Sequence, residues 1–281
     1  MSNTKAFFIL FLLSFYLIGC ETLKEKNART LRQYCSPANN IDWVMGGNEC
    51  LSMALFGKDN LDQHQSPKTL LIYIAGDFHL SNNTKLPYTE SQLKQLNIDK
   101  NQALVVLLSR PGYSILGDRS TGNAHNGLAY YSQENVDILA DAIDNLKQHY
   151  RPERVVLVGN SSGASMSILL ISQYHNIADS AIIISCPCDF FKWSGGMRNQ
   201  RTLESLDPID FVDKLPKNKP IYLFVGSKDV ITPTYFVQHF FDKSKAHSLN
   251  NVQLFVVDGA NHIQTKTSEP VLKRMSQILA Q

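Results

Sequence analysis

The chain has 281 residues, of which 43% are hydrophobic and 10% aromatic, enough to enclose one substantial core, and no internal repeat divides it. Its 27 basic and 25 acidic residues leave a formal charge of +2 with no long run of either sign, which speaks against a nucleic-acid partner. Neither a CxxC nor an HExxH pattern occurs, so no metal site is expected.

At the N-terminus, Lys5 precedes an apolar run from Ala6 to Ile18 broken only by Ser14, a length that suits a secretory signal better than a bilayer-spanning helix. The run ends in "LIGC", Leu17 to Cys20, which resembles the lipobox of bacterial lipoproteins, where cleavage precedes the cysteine and its thiol is lipid-modified. That resemblance implies a signal peptide over residues 1–19, lipidation at Cys20, and an exported protein held on the membrane of a bacterial cell envelope. The small Gly19 and polar Glu21 favour it over an ordinary signal peptide with an incidental cysteine. Four cysteines remain, an even number that in an exported protein suggests disulfides. Cys35 and Cys50 would staple a flap, whereas Cys186 and Cys188, flanking Pro187, are either a local disulfide or two buried thiols.

Residues 20–48 read as a polar linker or flap and 49–281 as one domain. Glu49 to Phe56 suits an antiparallel edge strand. Thr69–Ala75, Ala103–Ser109, Arg154–Gly159, Ala181–Ser185, Pro220–Gly226 and Val252–Gly259 are then short, β-branched, continuously apolar runs, as expected of strands buried on both faces. Amphipathic stretches lie between or after them at Gln133–Tyr150, Ser162–Tyr174, Tyr235–Ala246 and Glu269–Leu279. Strand and helix alternate, which predicts an α/β fold with a mostly parallel central sheet flanked by helices on both faces. In such sheets ligands bind beyond the carboxyl ends of the strands.

One of those ends carries Gly159-Asn160-Ser161-Ser162-Gly163, a G-x-S-x-G pattern set between a strand and a helix. In that context it is a nucleophile elbow, whose strained turn lifts the serine hydroxyl above the sheet. Ser161 alone has glycine two residues away on both sides, and Ser162 would lend a backbone N–H to an oxyanion hole. The competing interpretation is a glycine-rich turn with a serine N-cap. A serine hydroxyl needs a base. Of eight histidines, His149, His175, His239 and His247 fall in or beside helices and His64 and His125 in polar loops, all reading as surface residues. His262, after the last strand in "VVDGANH", is the base. The orienting carboxylate is Asp229, in the "GSKD" turn after the fifth long strand, with Asp189 as rival and Asp258 a weaker one; each could instead be a turn-forming residue. A second oxyanion donor is expected after "YIAGDFH": Gly76 permits close approach, so the N–H of Asp77, or failing that Phe78, is the candidate. The Asp77 side chain must then point away from the anion, and His79 either lines the pocket or is exposed.

With these residues in place the chain, from about Leu51 onward, resembles the α/β-hydrolase superfamily. The likeness implies acyl transfer to Ser161, hydrolysis by a water that His262 activates, and no cofactor. It lacks the HGGG run of some members, and it is silent on substrate. Residues 189–208 occupy the place where many relatives insert a lid; the segment is short, which argues against long-chain triglyceride and is compatible with a small-molecule ester or amide substrate. Phe190, Phe191 and Trp193 either form an acyl pocket or pack over the sheet. Arg110 and Arg119, in the long loop 109–132, either bind an acidic substrate group or tie that loop. The expected activity is that of a carboxylesterase, with a peptidase or amidase next, and a binding lipoprotein without catalysis as the non-enzymatic alternative.

Overall fold

A computed structural model describes residues 35, 43–57, 66–77, 88, 90–98, 100–115, 118–124, 131–195 and 205–281. The signal peptide, Cys20, His64, Phe78, His79, His125 and the middle of the expected lid lie outside them. Within the described residues the order is β1 (Trp43–Gly46), β2 (Glu49–Phe56), β3 (Thr69–Ile74), α1 (Glu90–Gln95), β4 (Ala103–Leu108), β5 (Ser114–Ile115), β6 (Asp118–Arg119), α2 (Gln133–Tyr150), β7 (Arg154–Asn160), α3 (Ser162–Gln173), β8 (Ser180–Ile184), α4 (Phe190–Trp193), a 3-10 turn (Pro208–Lys214), β9 (Ile221–Gly226), α5 (Thr234–Ala246), β10 (Val252–Val257), α6 (His262–Thr265) and α7 (Glu269–Leu279).

Eight strands form one sheet in the order β1-β2-β4-β3-β7-β8-β9-β10. From β4 through β10 neighbours are parallel; β2 runs antiparallel to β4, and β1 antiparallel to β2. The expected edge strand is thus one place inside the edge. The true edge, β1, comes from residues read as linker, because four residues leading into a tight Gly47-Asn48 hairpin are too short a run to register as a strand.

Every residue of β3, β4, β8 and β9 is buried, which explains their unbroken apolar sequence. Alternate side chains serve opposite faces. Leu70, Ile72 and Ile74 of β3 with Val155 and Leu157 of β7 pack against Val136, Leu139, Ile143 and Leu146 of α2, Ile168 and Leu169 of α3, and Val237 and Phe240 of α5. Leu71, Tyr73, Val156 and Val158 join Leu93 of α1, Leu96 just after it, and Val271, Leu272, Met275 and Ile278 of α7 on the other face. β10 has one neighbour, and Val256 is 50% exposed there. Cys35–Cys50 and Cys186–Cys188 are both disulfides. No described helix is long and apolar enough to cross a membrane.

The order in which strands are added to the sheet reverses at β3, which has β4 on one side and β7 on the other, so their carboxyl ends frame a crevice. Close packing there is tight enough to demand glycine: a Cβ at Gly163 would land on the carbonyl oxygen of Ile74. Gly163→Ala is therefore expected to destabilise the fold by about 1–3 kcal/mol, the usual cost of overpacking. Chemical denaturation measures this, and an unchanged midpoint would contradict the packing described.

Candidate active site

β7 ends at Asn160 and α3 begins at Ser162, leaving Ser161 at φ 56°, ψ −124° between them. An L-residue pays about 1–3 kcal/mol for such a conformation, which persists only where the surroundings enforce it. Here Ser161 N donates to the Ile184 carbonyl at 2.9 Å, while its own carbonyl accepts from Ala164 N at 2.9 Å and starts the helix. Both flanking glycines are sterically required. A Cβ on Gly159 would meet Ser167 Oγ at 2.5 Å and Ala164 Cα at 2.6 Å. The Ser161 hydroxyl makes no capping hydrogen bond, so the N-cap interpretation of this serine does not describe it.

Asp229 follows β9 in a turn closed by its N–H on the Gly226 carbonyl at 3.1 Å. It is a turn-forming residue and more than that. Oδ1 accepts from Ile231 N at 3.0 Å and Thr232 N at 2.8 Å, holding the carboxylate still, while Oδ2 lies 2.9 Å and Oδ1 3.1 Å from His262 Nδ1. Thr232 Oγ1 adds a donor to Oδ2 at 2.8 Å, within 3.1 Å of the Ser185 carbonyl and of His262 Nδ1. Burial alone would raise the Asp229 pKa. The hydrogen bonds from His262 and Thr232, with the imidazole's charge, outweigh it and hold the carboxyl below its ordinary value.

An ionised Asp229 can only accept, so His262 Nδ1 carries a proton, and in the neutral ring Nε2 presents a lone pair. That nitrogen is buried without a hydrogen-bond partner. Histidine opens α6 because Asn261 caps the helix through a box closed by Gln264. The structure thus joins Asp229 to His262 directly, and sets Ser161 at the end of the neighbouring strand system without a hydrogen bond to Nε2.

The rival carboxylates are otherwise engaged. Asp189 caps α4 through Lys192 N at 3.4 Å and pairs with Lys192 Nζ at 3.1 Å and His239 Nδ1 at 2.8 Å. His239 is therefore half-buried and hydrogen-bonded to Asp189, against its expected place on the surface; its partner is fifty residues away in sequence and gave no local signal. Asp258 accepts from Ser227 Oγ at 3.1 Å on the exterior.

The loop after β3 lies against the elbow: a Cβ on Gly76 would come 3.0 Å from Asn160 O and from Ser161 Cβ. The Asp77 carboxylate does not turn to solvent. Its Oδ1 accepts from Arg110 Nη2 at 2.5 Å, Ser162 Oγ at 2.8 Å and Tyr113 Oη at 3.0 Å. Burial works to raise its pKa, but the Arg110 charge and these donors bring it below the ordinary value. Arg110 is 3% exposed and ties loop to loop, whereas Arg119 on β6 is exposed. Phe190 packs edge-on to Tyr131 in the core, Phe191 is exposed, and Trp193 Nε1 donates to Ile231 O at 2.6 Å beside Asp229. Sequence reasoning missed Thr232; a hydroxyl three residues beyond a candidate acid, just ahead of Pro233, was the available sign.

No protein-family model matches the chain. No curated protein matches it either. Solved structures do. An esterase of Pyrococcus furiosus superposes with a TM-score of 0.62 at 19% identity, over 84% of this chain and 90% of that one. Est1E of Butyrivibrio proteoclasticus, with ferulic acid bound, gives 0.60 at 15% identity over 85% and 96%. An acylaminoacyl peptidase in complex with a chloromethyl ketone gives 0.62 at 12% identity, over 84% of this chain but 40% of the peptidase. The fold is that of the α/β-hydrolases. Identities this low carry the fold and leave the chemistry to the residues of this chain.

An α/β-hydrolase fold whose Asp229 titrates below the usual carboxylate range draws stability from that ion. The contribution is complete above about pH 4 and is lost as pH falls through the lower folded value. Asp229→Asn should be less stable than wild type at pH 7, with the gap narrowing on acidification below about pH 4. Urea titrations across pH test this, and a gap that stays constant with pH would contradict it.

Proposed function

We propose that this chain is a serine hydrolase, acting as a carboxylesterase on small esters through an acyl-enzyme at Ser161. The observation that carries the reading is the combination of a serine forced to φ 56° at a strand-to-helix turn with an Asp229–His262 pair whose outer nitrogen is buried and unpartnered. In this mechanism His262 Nε2 accepts the Ser161 proton as Oγ attacks the carbonyl carbon. The Nδ1 proton stays on the imidazolium, which the Asp229 charge stabilises. The N–H groups of Ser162 and Asp77 receive the developing oxyanion, aided by the positive end of α3. His262 then protonates the leaving alcohol, and a water deprotonated by the same nitrogen releases the acid.

The esterases among the structural neighbours support an ester substrate, and the peptidase among them keeps an amide as the second reading. The two disulfides accord with an oxidising compartment and thus with export; lipid anchoring at Cys20 belongs to the same proposal and rests on the sequence alone.

A fluorophosphonate probe should label wild type and fail to label Ser161→Ala; equal labelling would remove Ser161 from its role. On a panel of p-nitrophenyl esters and aminoacyl anilides, the esters should turn over faster. Asp229→Asn should lose about 10⁴-fold in kcat, the scale known for loss of the correct histidine tautomer, while Asp189→Asn retains most of it. The opposite ranking would move the acid to the loop after β8. Cys20→Ser should release the protein from the membrane fraction, and a wild-type product found wholly soluble with residue 20 unmodified would exclude the anchor.

A further inference from the structure

The two candidate oxyanion donors, Asp77 and Ser162, arrive from different strands, yet their side chains are bonded to each other. Ser162 Oγ donates to Asp77 Oδ1 at 2.8 Å, and the same oxygen accepts from Arg110 Nη2 and Tyr113 Oη. Arg110 lies just past β4 and its guanidinium covers the Tyr113 ring at 3.8 Å. Segments following three strands, β3, β4 and β7, therefore meet at one oxygen atom. The loop they fix is the one in contact with the nucleophile, as the crowding of Gly76 against Ser161 establishes.

We propose that the Asp77 carboxylate is a clamp that sets the spacing of the two oxyanion N–H donors, and that Arg110 and Ser162 are positioning residues acting through it. The proposal rests on the hydrolase reading. Donors stabilise a transition state to the extent that they are already in place when charge develops, and a side-chain tie beyond the paired strands adds to the restraint that backbone packing supplies. Asp77 lies beyond the last ladder pair of β3, so no strand partner restrains it. A carboxylate is a costly choice for such a tie, because its charge opposes the oxyanion forming nearby. Arg110 resolves that conflict. Its buried cation neutralises Asp77 through a single contact from Nη2, which leaves Oδ1 open to Ser162 and Tyr113. The hydroxyl of Ser162 then has a task separate from that of its N–H, and serine rather than any small residue is required next to the nucleophile.

Ser162→Ala isolates the clamp, since it keeps the N–H and removes only the hydroxyl. Against a p-nitrophenyl ester we expect kcat to fall about 10-fold to 100-fold, less than the roughly 100-fold to 1,000-fold of losing a donor outright, with KM changed by less than about 3-fold. Affinity for a trifluoromethyl ketone, which mimics the tetrahedral adduct, should weaken in step with kcat/KM, and Ser162→Thr should recover most of both. Arg110→Met should lose at least as much, and adding Asp77→Asn to it should restore part of the loss by removing the unbalanced charge. If Arg110→Met does not fold, the Ser162 pair decides alone. Folded Ser162→Ala with wild-type kcat and ketone affinity, or a loss confined to KM, overturns the clamp. Should Ser161→Ala still label and turn over, the hydrolase reading fails first; if Ser161→Ala is dead and Ser162→Ala is not impaired, only the clamp fails.

Discussion

A carboxylate shut away from water beside an imidazole is stable only if enough donors surround it, and Asp229 has them: two backbone N–H groups, a threonine hydroxyl and the His262 ring. Remove that environment and either the acid protonates or the ring turns, and in both cases the lone pair of Nε2 no longer has a fixed direction. The tight turn after β9 therefore matters as much as the acid itself. It is Ile231 and Thr232 that hold Asp229 so that it can hold His262.

The sheet supplies the rest of the geometry. Neighbouring parallel strands stand about 4.8 Å apart, so residues just past the ends of β3, β7, β9 and β10 reach a common rim although they are scattered over most of the chain. Close glycines let backbone from one strand end rest on backbone from the next. At Gly159 and Gly163 this brings α3 down onto β7 and β3, and at Gly226 it seats the turn that carries His262, where a Cβ would strike the carbonyl of Ala260. Rigidity at the rim follows from packing beneath it.

Much of this was legible in the amino-acid order. Continuous apolar runs announce buried parallel strands, and the long ones were readable from Thr69 through Val257 because nothing else in a polar-rich chain explains them. Motif and chain order singled out Ser161, Asp229 and His262, and the structure brings the last two into contact. What escaped detection depends on contacts between distant residues. The short β1 has too few residues to show a period. His239 looks like any helical surface histidine until the loop after β8 brings Asp189 to it. The partner of the Asp77 side chain was also invisible: nothing local to Asp77 in the sequence points to Arg110, thirty-three residues later, which pairs with it.

The backbone at position 161 has a consequence for the whole molecule. Glycine would adopt φ 56° without steric penalty, whereas a residue with a Cβ holds that conformation at a cost the surrounding structure must offset. The atom that crowds the backbone at this turn is thus the same one that carries the hydroxyl, and the hydroxyl cannot be kept without it.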